Sequence, residues 1–124
     1  MIRYADVVLW AAEAEFESGH NDEALKYINM VRKRARESGN TGKPEDITGI
    51  LTHDQIVHER LIELACEGHR FFDLVRWNLA FDYLNGYLAD GSSVIYEQGK
   101  NEFFPIPDNE IGLSGNNLKQ YPGW

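Results

Sequence analysis

THDQIVHERLIELACEGHRFFDLVRW, residues 52–77, is the stretch on which the fold turns. Thr52 followed three places later by Gln55 is the signature of a capping box, in which each side chain takes the other residue's backbone N–H. Asp54 puts a negative charge in the first turn, where the helix dipole favours it. Val57, Leu61, Leu64, Ala65, Gly68, Phe71 or Phe72, and Val75 then recur at helical spacing, which predicts one helix over residues 53–77. Its polar side is unusual. Glu59, Glu63 and Glu67 form an i, i+4 row of like charges, which repel. Arg60, Arg70 and Arg76 interrupt the row, and Asp73 stands three places from both Arg70 and Arg76. A helix stable by itself would alternate Glu with Lys, so this face predicts charges paired across to other segments. Glu63 and Arg70, about two turns apart, form one testable pair. The plain alternative is a solvated face with rim salt bridges of little worth.

Upstream, residues 3–18 read as a helix with Ala5, Val8 or Leu9, Ala12 and Phe16 on one face; Ala11, Ala12 and Ala14 leave room for a close neighbour. Gly19 sits where a left-handed residue ends a helix. Asn21 is placed to cap the next helix, residues 22–37, with Asp22 and Glu23 in its acidic first turn. Ala24, Ile28, Val31 and Ala35 mark its buried face, and Ser38-Gly39-Asn40 its stop. The short connection makes the two helices antiparallel neighbours. About 34 residues for the pair is the proportion of a tetratricopeptide repeat, and one such pair cannot bury both its faces. Arg32, Lys33, Arg34 and Arg36 are favourable charge at a helix C-terminus. Residues 38–51 form a polar, Gly-rich loop with Ile47, Ile50 and Leu51 as anchors.

Downstream the helical signal weakens. Residues 79–85 form a short helix ended by Gly86, and residues 87–101 carry no period. Pro105 and Pro107, one residue apart, hold an extended path. Asp108 caps a short turn through Ile111. Leu113, Leu118, Tyr121 and Trp124 anchor an irregular tail, so residues 87–124 are mainly loop. No segment alternates with period two. The fold class is all-α, built of tetratricopeptide-like helix pairs with long irregular C-terminal loops, and residues 1–124 are read as one helical domain.

A formal charge of −8 and a pI near 4.9 argue against nucleic acid as a partner, because phosphate binding needs a basic face. No run approaches the roughly 18 apolar residues of a membrane span. The single cysteine, Cys66, beside the apolar stripe, reads as a buried inert thiol. Chemistry finds no foothold. His53 and His58 are five apart rather than four, His20 lies in a turn, and His69 completes no ligand spacing, so neither a metal nor a cofactor is expected. Arginines beside Glu59, Glu63 and Glu67 lower carboxylate pKa values, whereas a general acid needs a raised one. No catalytic residue is assigned. Six Phe, six Tyr and three Trp exceed what a small helical core needs. Trp77, Tyr83, Tyr87 and Tyr96 offer faces suited to a sugar ring or a partner, or else fill gaps under loops.

HERLIELACEGHRFFDLVRW resembles the signature helix of the SusD/RagB family, E-R-x-x-E-L-x-x-E-G-x-R-x-x-D-L-x-R-W. Glu59, Arg60, Glu63, Leu64, Glu67, Gly68, Arg70, Asp73, Leu74, Arg76 and Trp77 fall on it. RYADVVLWAAEAEFESGHNDEALKYINMVRKRAR (residues 3–36) and FFPIPDNEI…NNLKQYPGW (residues 103–124) resemble the family's flanking segments, in the family's order. Leu61 and Ile62 stand where a second Arg is common, Asp6 replaces a usual Glu, and Trp124 a terminal Tyr.

The resemblance implies a surface lipoprotein of the outer membrane that captures oligosaccharides or other nutrients for a SusC-type TonB-dependent transporter, without catalysis. The helical pattern under way by Arg3, with no export signal or lipidated cysteine before it, reads as the C-terminal portion of a longer chain. Family ligand residues lie mostly upstream, so no glycan-binding residue is assigned here. Glu59, Glu63, Glu67, Arg60, Arg70, Asp73 and Arg76 are expected to tie the central helix to its neighbours. The alternatives are a free-standing helical-repeat adaptor for a protein partner, and a glycan hydrolase.

Overall fold

The structure, a computed structural model, describes residues 2–39, 42–87, 91–115 and 117–124. Asn40 of the expected stop, residues 88–90 of the expected loop and the Tyr87 side chain lie outside the description. The elements in order are α1 (Tyr4–Glu17), α2 (Asn21–Ser38), α3 (His53–Glu63), α4 (Arg70–Arg76), α5 (Ala80–Leu84), β1 (Gly86–Tyr87), β2 (Ser93–Val94) and α6 (Asp108–Leu113). The chain divides into two compact units, residues 1–70 and 71–124.

In the first unit α1 packs on α2, and α3 packs on both. Ala5, Val8, Leu9 and Ala12 of α1 meet the expected Ala24, Ile28 and Val31 of α2, and Leu51 and Ile56 complete the core. Gly19 adopts the left-handed φ of +81° that lets α2 turn back. Asn21 does not cap α2. It is the first helical residue, and its side chain reaches the following loop instead, donating to the Gly49 carbonyl at 3.0 Å and accepting from the Leu51 N–H at 2.8 Å. Asn29 makes the same two-point bond with Ile47, while Arg32 and Arg36 donate to the carbonyls of Glu45 and Pro44. The loop is thus laid along α2 by side chains that supply the pairing a strand would otherwise need. Leu51 is buried as expected, but Ile50 is exposed.

Residues 53–77 do not form one helix. The capping box is present, with Gln55 N–H to Thr52 Oγ1 at 3.3 Å and Thr52 N–H to Gln55 Oε1 at 2.9 Å. The helix stops at Glu63, however, because Arg3 Nη2 occupies the Glu63 carbonyl at 2.7 Å and the Glu67 N–H turns to the Leu64 carbonyl. Cys66 (φ +64°) and Gly68 (φ +81°) carry the chain through left-handed conformations to α4. The helical phase is therefore lost after Leu64. Cys66 is exposed rather than buried. Leu61, Ala65 and Gly68 are exposed too, and the buried face is Ile56, Val57, Glu59, Arg60 and Leu64.

The second unit has a smaller core of Leu74, Ala80 and Tyr96, with Phe71, Val75, Leu79 and Leu84 packed around it. β1 and β2 pair antiparallel, Gly86 with Val94 and Tyr87 with Ser93. Asn85 ties α5 to the chain beyond this ladder, accepting from the Tyr96 N–H at 2.8 Å and donating to the Phe81 carbonyl at 2.9 Å. The tail is fastened by Gln120, which bonds both the N–H and the carbonyl of Ile106, and by Trp124, whose Nε1 donates to the Lys100 carbonyl at 3.1 Å. Asp108 is the first residue of α6 and makes no cap bond. Leu113 and Leu118 are exposed rather than buried in the core.

Candidate functional site

The charges of the central stretch reach other segments. Arg3, just before α1, donates from Nη1 to Glu63 Oε1 at 3.0 Å and from Nε to Glu67 Oε2 at 2.9 Å. Arg34 of α2 grips the Glu63 carboxylate through both oxygens, at 2.7 and 2.6 Å. Arg32 holds Glu59 in a largely buried pair. Arg60 Nη1 stands 3.1 Å from Asp6 Oδ1, each side chain about 1% exposed, and His69 Nε2 lies 4.0 Å from the other Asp6 oxygen. Arg76 pairs with Asp73 three residues back, and Arg70 donates to the Val57 carbonyl.

The expectation of charges paired between segments therefore holds for Glu59, Glu63, Glu67 and Arg60, but the partners are Arg32, Arg3 with Arg34, Arg3, and Asp6. Glu63 is gripped by Arg3, just before α1, and by Arg34 of α2, rather than by Arg70. Arg32 and Arg34 serve as side-chain partners of α3, a more specific role than charge at the end of α2. Arg3 is the group the sequence reading missed. It lies sixty residues from Glu63, and only the antiparallel return of α2 brings α3 alongside it.

The hydrogen bond from Arg3 holds the Glu67 carboxyl below its usual range, and the bonds to Glu67 and Glu63 push the Arg3 guanidinium up. A general acid needs a shift in the other direction. The four histidines go to four places: His20 bonds Glu15, His53 lies 6.3 Å from the Phe16 ring, His58 lines a polar groove with Asp54 and Gln55, and His69 faces Asp6. Among the described residues no three His, Cys, Asp or Glu side chains converge as a metal set.

The second unit carries a cleft walled largely by aromatic rings. It has a volume of about 530 Å³ and is lined by Phe71, Tyr83, Ile95, Tyr96, Phe103 and Phe104, with Asn101 as a polar group at its wall. The Phe71 and Phe104 rings are 6.2 Å apart, and Phe103 stacks on Tyr121 at 5.2 Å with 25° between planes. Phe104 is 74% exposed and Tyr83 53%. Of the aromatics singled out from sequence, Tyr83 lines the cleft, whereas Tyr96 is core as well as wall. Burial, then the nearby Glu102 charge, pushes the Tyr96 hydroxyl pKa up. The Trp77 ring is covered by the Arg76 guanidinium, 4.4 Å from its centroid. Phe71, Phe103 and Phe104 went unremarked as ligand groups, although the two Phe-Phe pairs were the visible signal.

The first unit is all-helical and of tetratricopeptide proportion, with α3 clamped by arginines, and the second unit carries an aromatic cleft. The sequence profile of the SusD family matches residues 1–124, and the chain belongs to that family. SusD-like protein P2 of Formosa agariphila is 33% identical over 130 residues, covering 99% of this chain and 25% of that protein. SusD-like protein P38 of the same organism is 38% identical over 99 residues, covering 73% of this chain and 20% of that one. Among solved structures, surface glycan-binding protein A from Bacteroides thetaiotaomicron superposes with a TM-score of 0.79 at 32% identity, over 97% of this chain and 24% of that chain. A SusD-like protein from Bacteroides fragilis gives a TM-score of 0.77 at 30% identity, over 99% and 25%. The chain thus spans about a quarter or less of the relatives it matches.

Proposed function

We propose that residues 1–124 are the C-terminal part of a nutrient-binding component of an outer-membrane uptake system. The whole protein captures oligosaccharides at the cell surface, held there by a lipid anchor, and passes them to a SusC-type TonB-dependent transporter without cleaving them. Both units belong to this one C-terminal part. The observation that carries the reading is the family match along the entire chain, reinforced by the superposition on a surface glycan-binding protein. The ion-paired, lowered Glu67 agrees with a non-catalytic role. The aromatic cleft adds a surface whose ring faces and Asn101 amide suit a sugar ring's apolar face and hydroxyls.

Native affinity electrophoresis of the full-length protein against a panel of polysaccharides tests the proposal. Retardation by at least one polysaccharide, with no release of reducing ends, is expected. Migration unchanged by every polysaccharide overturns glycan capture, and release of reducing ends overturns the non-catalytic assignment.

A further inference from the structure

A second, much smaller pocket in residues 71–124, of about 50 Å³, shares Tyr96 with the aromatic cleft. Val75, Ala80, Tyr96 and Glu102 line it, together with Asn78 and Gln98, whose side-chain amides bond each other at 3.2 Å. Tyr96 is 5% exposed and its hydroxyl is buried, as is the Oε2 oxygen of Glu102. Among the described residues neither atom finds a hydrogen-bond partner. A buried donor and a buried charged acceptor are costly to leave unmade, and most such groups in folded proteins are satisfied.

The Glu102 carboxylate is fixed through its other oxygen. Oε1 accepts the Gly99 N–H at 3.0 Å, and backbone N–H groups, that of Gly99 foremost, hold the carboxyl below its usual range. Glu102 is therefore ionised near neutral pH, and its second oxygen calls for a donor. The Tyr96 hydroxyl, its pKa pushed up by burial, keeps a proton to give. From Glu102 the chain runs directly into Phe103 and Phe104, which line the cleft. Whatever joins Tyr96 to Glu102 thus joins two parts of the cleft wall.

The size and chemistry of the pocket select its occupant. About 50 Å³ exceeds the roughly 10–15 Å³ that one water needs and falls far short of an organic ligand. A hard cation takes about six oxygen ligands, whereas a single carboxylate lines this pocket. Water both accepts and donates, which is what a phenol O–H and a carboxylate oxygen together require. We propose that the pocket holds one ordered water, which accepts from the Tyr96 hydroxyl and donates to Glu102 Oε2. It ties the Tyr96 part of the cleft wall to the Phe103–Phe104 part, whether or not a glycan binds there.

A high-resolution crystal structure of the full-length protein tests this directly. One water about 2.7–3.0 Å from both Tyr96 Oη and Glu102 Oε2 is expected. A dry pocket, a direct Tyr96–Glu102 hydrogen bond, or a cation in the water's place overturns the proposal. Hydrogen–deuterium exchange gives a reading in solution. In Tyr96→Phe the peptide of residues 97–104 is expected to exchange about tenfold faster, because the turn that carries Glu102 loses its tie to the core. Exchange unchanged or slowed overturns the bridge, since removing a hydroxyl that bonds nothing loosens nothing. Neither measurement involves a glycan, so failure here is separate from failure of the affinity test.

Discussion

In residues 1–70 the fully buried side chains Leu9, Ile28, Leu51 and Ile56 come from three helices and the loop that joins two of them, and ion pairs run between the helices. In residues 71–124 burial concentrates on Leu74, Ala80 and Tyr96, while Phe72, Phe81, Tyr83, Phe103 and Phe104 stand more than half exposed. The first unit uses periodic burial over helices of 14 and 18 residues. The second joins pieces of two to seven residues through side-chain amides, with Asn85 and Gln120 pairing to backbone as a neighbouring strand would. Long helices can hide their polar backbone and leave side chains for packing. Short segments leave backbone groups to be satisfied one at a time, and their large apolar side chains stay available at the surface.

The contrast breaks first, and with the largest effect, at the buried pair. Arg60→Met leaves the Asp6 carboxylate without that guanidinium in a fully buried site, and a loss of about 3–5 kcal/mol is expected in urea unfolding. Asp6→Leu added to Arg60→Met should recover most of that loss, since it removes the stranded charge. A smaller effect is expected at the clamp. A double-mutant cycle on Glu63 and Arg34 should give a coupling of about 0.5–1 kcal/mol, limited by the half-exposed guanidinium. The same cycle on Glu63 and Arg70 should give a value near zero.

The smallest effect separates the units at opposite ends of the pH scale. Glu67 binds its proton less readily folded than unfolded, so its contribution is complete above its ordinary pKa near 4.5 and is lost as pH falls through the lower folded value. Tyr96 holds its proton more tightly folded, so its contribution is complete below its ordinary pKa of 10 and is lost as pH rises toward the higher folded value. Melting temperature against pH should therefore lose its acid slope partly in Glu67→Gln and its alkaline slope partly in Tyr96→Phe. An unchanged slope in either variant removes that half of the comparison.

The elements written locally were readable from the chain alone. Thr52 and Gln55 are three residues apart and cap each other; Ala24, Ile28 and Val31 bury as their spacing demands; Gly19 turns left-handed where a helix must end. What escaped depends on partners remote in sequence. The break after Glu63 follows from a guanidinium sixty residues upstream taking one carbonyl, and nothing within residues 52–77 encodes that. Asn21 looked like a cap because its type and position fit one, but the loop at Gly49 and Leu51 offered its amide two bonds instead of one. At the site, the row of glutamates was legible as a need for partners, whereas their identity required α1 and α2 to be placed. The cleft was the least legible, since it is assembled from rings at residues 71, 83, 96, 103 and 104, with Ile95 between them, and these share no common period.

Arg3 joins three acceptors of the Glu63–Glu67 turn from a position before the first helical residue. Any shortened gene that begins at Tyr4 would therefore remove almost nothing from the helices yet release the corner at which the backbone changes direction. The practical edge of this piece is set by one guanidinium, and trimming guided by helix boundaries would fall on its wrong side.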